Sequence, residues 1–279
     1  MKKTMPSITV NVVTRPFGGE WTDKNITVLN AIARQSASGV KVRLVCWPNE
    51  QETIEFAERN GYEYHVGTYF ESWLFDKPLC SFGDMFSSLL AECDTDLFVY
   101  INGDIILGPG LLEWLQNHAQ RNTLYSIPRH NWDFEGVFDS DAEYARAMEK
   151  ARPEAWTALD LFAFHAEDGR NIFNPVPPFV LPASGSDSWL VARSGEAGWE
   201  RRLINPVENS ILHIEHQPIN LAKAGAKSSA QRVVPFNMGI YTAIIQQMPA
   251  EVLKDTSLKV FAGRNGITPV EDTYSAKTD

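Results

Sequence analysis

The chain has 279 residues, with 25 Lys and Arg against 35 Asp and Glu, for a net charge of −10. Apolar residues make up 44% and charged residues 22%, which excludes a disordered or collagen-like chain and leaves enough apolar surface for a sizeable core. The acidic balance excludes broad nucleic-acid binding, which needs clustered Lys and Arg, but not a phosphorylated small molecule held through a metal ion.

Cys46, Cys80 and Cys93 are widely spaced and form no CxxC. They read as reduced thiols of a cytosolic protein, not as a zinc ribbon or a redox pair. No stretch approaches the roughly 20 apolar residues of a membrane helix. Met1-Lys2-Lys3 is followed at once by Pro6 and Ser7, so the start does not read as a signal peptide. The expectation is a cytoplasmic protein with no transmembrane segment, peripheral membrane contact being left open.

Strand and helix signals alternate through the first half. Ile8–Val13 is β-branched and alternating, and predicts a strand. Thr14–Gly19 is a loop carrying Pro16 and two glycines. Ile26, Leu29, Ile32 and Ala33 recur at helical spacing over Lys24–Ala37, with Asp23 as N-cap. Val40–Trp47 is the second strand, Asn49–Asn60 a short helix stopped by Gly61, and Tyr62–Val66 a weaker strand. Phe82, Met85, Phe86, Leu89 and Leu90 form the next apolar stripe. In Asp96–Leu107, the run Leu97–Ile101 reads as a strand buried on both faces. Pro109–His118 is a helix and Leu124–Ile127 a further strand.

Beyond residue 130 the rhythm is irregular. Asp139–Arg152 predicts a charged helix, Ala158–His165 a strand, Asn174–Ser188 a shaped loop and Asp187–Ala192 the start of a helix. Ser210–His216 is strand-like, Phe236–Gln247 helical, and the chain after 263 a polar tail. The β-α-β rhythm predicts an α/β fold with a mostly parallel sheet flanked by helices.

Ligands in such sheets bind beyond the carboxyl ends of the strands. Three ends carry polar residues: Thr14 and Arg15; Asn102, Gly103 and Asp104; and His213 and His216. Asp104 offers a hard oxygen ligand for Mg²⁺ or Mn²⁺ and Gly103 lets a ligand approach the backbone closely, although Asn-Gly-Asp is equally turn chemistry. His213 and His216 are three apart, so on one strand they face opposite ways unless the strand has ended. Asp187, in a Gly/Ser loop before Trp189, suits a sugar site, and Ser186 or Asp187 equally suits an N-cap for a helix starting at Trp189. There is no dinucleotide fingerprint, Walker motif or GxSxG elbow.

Several stretches together resemble GT-A-fold glycosyltransferases that use nucleotide-diphosphate sugars. The similarity is to a group with a YxNxDIIL-like segment in place of DxD, here Tyr100–Leu107. It continues through Arg129-His130-Asn131-Trp132-Asp133, Asp160–Phe164, Pro177-Pro178-Phe179 with Gly185 and Asp187–Leu190, and His213–His216. Arg15-Pro16-Phe17 also matches. The resemblance covers about residues 8–220. Asn102 replaces the first carboxylate of DxD, and a helical stretch at about 136–156 and the chain beyond 220 have no counterpart.

The resemblance implies a GT-A-like, Rossmann-type mostly parallel sheet with an irregular acceptor-side half. One domain is expected over 1–262, its nucleotide-binding half about 1–130 and its acceptor half about 131–262, before a tail at 263–279. It implies a nucleotide-diphosphate sugar donor, a glycan or lipid-linked acceptor, and a divalent metal (Mn²⁺ or Mg²⁺) on Asp104 with His216 or His213. Thr14, Arg15, Asn102, Asp104 and Arg129 are expected at the nucleotide and its diphosphate, and Asp187 as catalytic base. Asp160 and Asp133 are secondary candidates for donor hydroxyls. Two other readings compete: a non-catalytic carbohydrate-binding or scaffold domain, and a sugar-nucleotide pyrophosphorylase. The latter needs a loop richer in Gly and basic residues than Thr14–Gly19.

Overall fold

The computed structural model describes residues 5–71, 78–154, 159–181, 185–204, 210–216, 236–244 and 246–247, and the backbone of Thr268–Pro269. In chain order the elements are β1 (Ile8–Val13), α1 (Glu20–Ala33), β2 (Val40–Cys46), α2 (Gln51–Asn60), β3 (Glu63–Val66), β4 (Tyr69–Phe70), β5 (Leu79–Ser81), α3 (Phe82–Ala91), β6 (Leu97–Asn102), β7 (Ile105–Leu107), α4 (Leu111–His118), β8 (Thr123–Asp133), α5 (Asp141–Lys150), β9 (Arg152–Pro153), β10 (Leu159–His165), α6 (Ala166–Ile172), β11 (Val180–Leu181), α7 (Ser186–Glu196), β12 (Glu200–Leu203), β13 (Ile211–Glu215) and β14 (Thr268–Pro269). Residues 236–244 are also helical. The expected domain limit at 262 and most of the tail at 263–279 lie outside the described residues.

The main sheet has the order β14-β12-β8-β10-β6-β1-β2-β3. β6, β1, β2 and β3 are parallel, as the alternation of the first half predicts. β10 inserts between β6 and β8, antiparallel to both. The far end of β8 carries β13 alongside it in parallel, and β13 pairs antiparallel with β7. This last pairing folds the β6–β7 turn back toward the end of β13. β4, β5 and β11 form a separate small sheet.

The period-two pattern of the strands separates two cores. Leu97, Val99 and Ile101 of β6 join Ile8, Val10 and Val12 of β1 on one face, under α1, α4 and α5. Phe98 and Tyr100 point to the other face. There Phe82 and Phe86 of α3, Phe162 and Phe164 of β10, Phe173, Trp189 and Trp199 make an aromatic core. Many of the rings meet edge-on, as in Phe86 against Tyr100 (5.8 Å between centroids) and Phe86 against Phe173 (6.0 Å), while Phe98 stacks on Phe164 (5.1 Å).

Several boundaries differ from the sequence reading. α1 begins at Glu20, so Asp23 lies in its first turn and Gly19, with φ 53°, stands at the cap. That φ favours glycine, which is why the loop's second glycine ends where the helix begins. Gly185, not Ser186 or Asp187, stands at the N-cap of α7, and it makes no side-chain cap hydrogen bond. α5 has the capping box that Ser140 and Glu143 encode. α6 was not foreseen because Ala166–Ile172 carries no apolar stripe. It is anchored instead by buried Asp168, which accepts from Arg121 Nε (2.8 Å) and the Asn122 N–H (2.8 Å). β12 (Glu-Arg-Arg-Leu) buries only Leu203, so it too lacks a local signal.

Candidate functional site

β1 and β6 end side by side, with Val13 opposite Asn102. Their next residues therefore share one edge of the sheet. Gly103 has no room for a side chain: a Cβ there would lie 2.5 Å from the Val13 carbonyl oxygen and 2.8 Å from Thr14 Cα. Gly103 thus serves the close approach of two strand ends, where sequence reasoning had assigned it to a ligand. Buried Thr14 donates its hydroxyl to the Val45 carbonyl (2.8 Å), which anchors β1 on β2. Arg15 comes next and reaches the carboxylate of Asp104.

Asp104 is the centre of the site and is buried. Its Oδ2 accepts from Arg15 Nη2 (3.2 Å) and from His216 Nε2 (3.1 Å), and His213 Nε2 lies 3.9 Å away. The two histidines converge because β13 ends at Glu215, which frees His216 from strand alternation. Pairing His213 with Ile105 brings β13 directly over the turn holding Asp104, and the Ile214 N–H donates to the Asp104 carbonyl (2.9 Å). The ligand atoms of Asp104, His213 and His216 all lie within 4.8 Å of one another.

The electrostatics match this geometry. Burial alone would raise the Asp104 carboxyl, but the His216 hydrogen bond, Arg15 and His213 together hold it well below the usual carboxylate range. Burial lowers His213 despite the nearby Asp104, and so favours the neutral imidazole that ligates metals. The second carboxylate oxygen, Asp104 Oδ1, is buried with no hydrogen-bond partner among the described residues. Such an oxygen is costly to leave unpaired, and a bound cation satisfies it. A carboxylate with two imidazoles is a mixed O/N donor set that suits Mn²⁺ better than Mg²⁺, which takes oxygen ligands.

A second cluster adjoins the first. Asn102 Nδ2 donates to Asp160 Oδ1 (3.0 Å), and Arg129 Nη1 donates to Asp160 Oδ2 (2.6 Å). The amide at 102 can make this bond, whereas a carboxylate there would face another carboxylate. Asp187, partly covered in the first turn of α7, is pushed up to about 7 by burial and by the charge of Asp160, against the opposing pull of Arg129. Burial holds the Tyr100 phenol well above its ordinary value, with Asp187, Asp160 and Asp104 adding to the effect.

The site thus brings together Arg15, Asn102, Asp104, Arg129, Asp187, His213 and His216, with Asp160 among them. Asp133 instead pairs with exposed Arg152 (3.2 Å) at the surface. Sequence reasoning missed Trp21, whose ring meets His216 edge-on (5.4 Å) and carries Arg15 (5.2 Å) and Lys24 (4.4 Å) over its faces. The Trp directly after Gly18-Gly19-Glu20 was the available signal. Among the described residues no helix is long and apolar enough to cross a membrane.

No family model matches the chain, and no curated protein matches it in sequence. Among solved structures, it is similar to a crystal structure of GalNAc-T7 with UDP, GalNAc and Mn²⁺. The TM-score is 0.50 and the identity 12%, over 76% of this chain and 44% of that one. The chain therefore spans less than half the length of that protein. A Desulfovibrio desulfuricans G20 protein proposed to be a nucleotide-diphospho-sugar transferase gives a TM-score of 0.39 and 11% identity, over 62% of this chain and 70% of that one. At these identities the likeness concerns the fold. With helices on both faces of a sheet whose parallel half, β6-β1-β2-β3, is continued by antiparallel β10, the chain has a GT-A-like α/β fold.

Proposed function

We propose that the protein is a glycosyltransferase, of the hexosyltransferase type, that moves a sugar from a nucleotide-diphosphate sugar to a hydroxyl of a glycan or lipid-linked acceptor. The observation that carries this reading is the buried Asp104 at the carboxyl edge of a GT-A-like sheet, its Oδ1 unpaired and two histidines beside it. Asp104, His213 and His216 would hold the metal. A divalent ion there supplies Lewis-acid neutralisation of the diphosphate that leaves.

The chain's own residues do the rest. Arg15, beyond β1, adds a fixed positive charge at the diphosphate, and Thr14 holds the strand end that carries it. Asp160, held by Asn102 and Arg129, accepts hydrogen bonds from donor-sugar hydroxyls. Asp187 takes the proton of the attacking acceptor hydroxyl, and a value near 7 suits a general base at neutral pH. Attack from the face opposite the leaving diphosphate inverts the anomeric centre. Polysaccharide biosynthesis in a cytoplasmic setting belongs to the same proposal.

The test is thermal stability with a panel of nucleoside diphosphates, each with and without Mn²⁺. A ligand at about 100 times its dissociation constant adds roughly 2.7 kcal/mol. A shift with one nucleotide, and only with metal, is the expected result and names the donor base. A flat panel with a folded sample would favour the scaffold reading, for which the missing first carboxylate at Asn102 is the specific support.

A further inference from the structure

We infer that the segment from α5 through β9 to Glu154 is a brace for the histidine strand, and that Asn131 and Glu154 are positioning residues that hold His213 with Nε2 toward Asp104. The inference rests on reading Asp104, His213 and His216 as metal ligands. It concerns the stretch at about 136–156, which the sequence resemblance left without a counterpart.

Three attachments tie this segment to β13 and its neighbour β8. At the start of β13, buried Tyr144 of α5 bonds through its hydroxyl to the Ser210 carbonyl (3.0 Å) and to Ser210 Oγ (2.9 Å). At its end, Arg152 of β9 reaches both Asp133 of β8 (3.2 Å) and Glu215 of β13. Between them, Glu154 Oε2 accepts from Asn131 Nδ2 (2.6 Å), and Asn131 Oδ1 faces His213 Nδ1 at 3.0 Å. The Glu154 N–H donates to the Arg129 carbonyl (3.1 Å), so the residue is fixed by its backbone as well. Register makes the chain of bonds follow the strands: Arg152 pairs with Asn131, and Asn131 with His213.

The proton positions follow from donor and acceptor chemistry. A carboxylate only accepts, so the Asn131 amide must turn its NH₂ to Glu154 and its oxygen to His213. That oxygen only accepts, so His213 must carry its proton on Nδ1. Nε2 is then a lone pair, 3.9 Å from the carboxylate oxygen Asp104 Oδ2. Two acceptors facing each other across that gap repel, and a cation between them removes the repulsion. Outer partners of this kind fix the tautomer and the ring orientation of a metal-ligating histidine.

The test uses the full chain with Mn²⁺ alone as probe. Free Mn²⁺ is followed by electron paramagnetic resonance, and long-range proton–nitrogen NMR reads the His213 tautomer in metal-free protein. Wild type should show the Nδ1–H form. Asn131→Leu should shift His213 toward Nε2–H and weaken Mn²⁺ about 10–100-fold. Asn131→Asp combined with Glu154→Gln, which keeps an acceptor toward His213 and supplies a donor in place of the Glu154 carboxylate, should retain the Nδ1–H form. Glu154→Ala should weaken Mn²⁺ by up to about tenfold, and it carries the test if Asn131→Leu does not fold. An unchanged tautomer with unchanged affinity in these variants would overturn the brace. If wild type binds no Mn²⁺, the metal reading fails, and the tautomer alone then decides whether Asn131 orients His213.

Discussion

Replacing Asp187 by Asn should stop turnover and at the same time stabilise the fold, by an amount that grows with pH. Burial and the neighbouring Asp160 charge raise Asp187 from 3.8 to about 7. The folded state therefore holds a proton that the unfolded chain releases between about pH 4 and pH 7. Stability falls across that window as pH rises, because the native state binds more protons there than the unfolded one. The full rise corresponds to about 4 kcal/mol once pH exceeds about 7. Asn carries no charge, so Asp187→Asn removes this cost. Its gain should be about 3 kcal/mol larger at pH 8 than at pH 5, or roughly 5 °C in melting temperature for a chain of this size. Melts of both proteins at the two pH values measure it. Loss of a general base should lower kcat about 10²–10⁴-fold while nucleotide-induced stabilisation is kept. Equal melting shifts at pH 5 and pH 8 would refute the claim that Asp187 is a destabilised charge, and near-wild-type turnover would refute its role as base.

Gly103→Ala should destabilise by about 2 kcal/mol and displace Arg15, because its Cβ would lie 2.5 Å from the Val13 carbonyl oxygen and 3.0 Å from the Arg15 nitrogen; urea melts and the metal-dependent nucleotide shift report the two effects. Arg129→Leu leaves buried Asp160 without its 2.6 Å ion partner, and urea melts should show a loss of roughly 3 kcal/mol. Asp104→Ala should abolish the Mn²⁺-dependent part of the melting shift while leaving a folded protein by circular dichroism. Phe86→Ala, at the centre of the aromatic core, should cost about 3–5 kcal/mol in the same melts without altering the site's pH behaviour.

The first half of the fold was legible because local patterns there encode local facts. Leu97–Ile101 is apolar at successive positions because both faces of its strand are covered, Ile8–Val13 alternates apolar residues with Thr9 and Asn11, and the two are found as the buried part of β6 and as β1. Gly61 ends α2 in the left-handed conformation its position suggested. α6 and β12 were not legible, since their stability comes from Asp168 binding Arg121 and from ladders to β8 rather than from periodicity. At the site, the residue types and their places at strand ends were readable, and Asp104 stood out for that reason. What Asn102 does was not, because its partner Asp160 lies 58 residues away.

The sequence by itself determined the parallel half of the sheet, the two-sided burial of β6 and the carboxylate that follows it. Tertiary structure alone decided that His213 and His216 meet at Asp104, that Gly103 admits a strand end, and that Glu154 stands behind Asn131. Side-chain period and cap chemistry depend on neighbours a few residues apart and are written into short stretches. Which strand lies against which, and in what register, depends on pairings across a hundred residues. The turn after β6 and the end of β13 become one site only when β13 zips antiparallel onto β7, with His213 opposite Ile105.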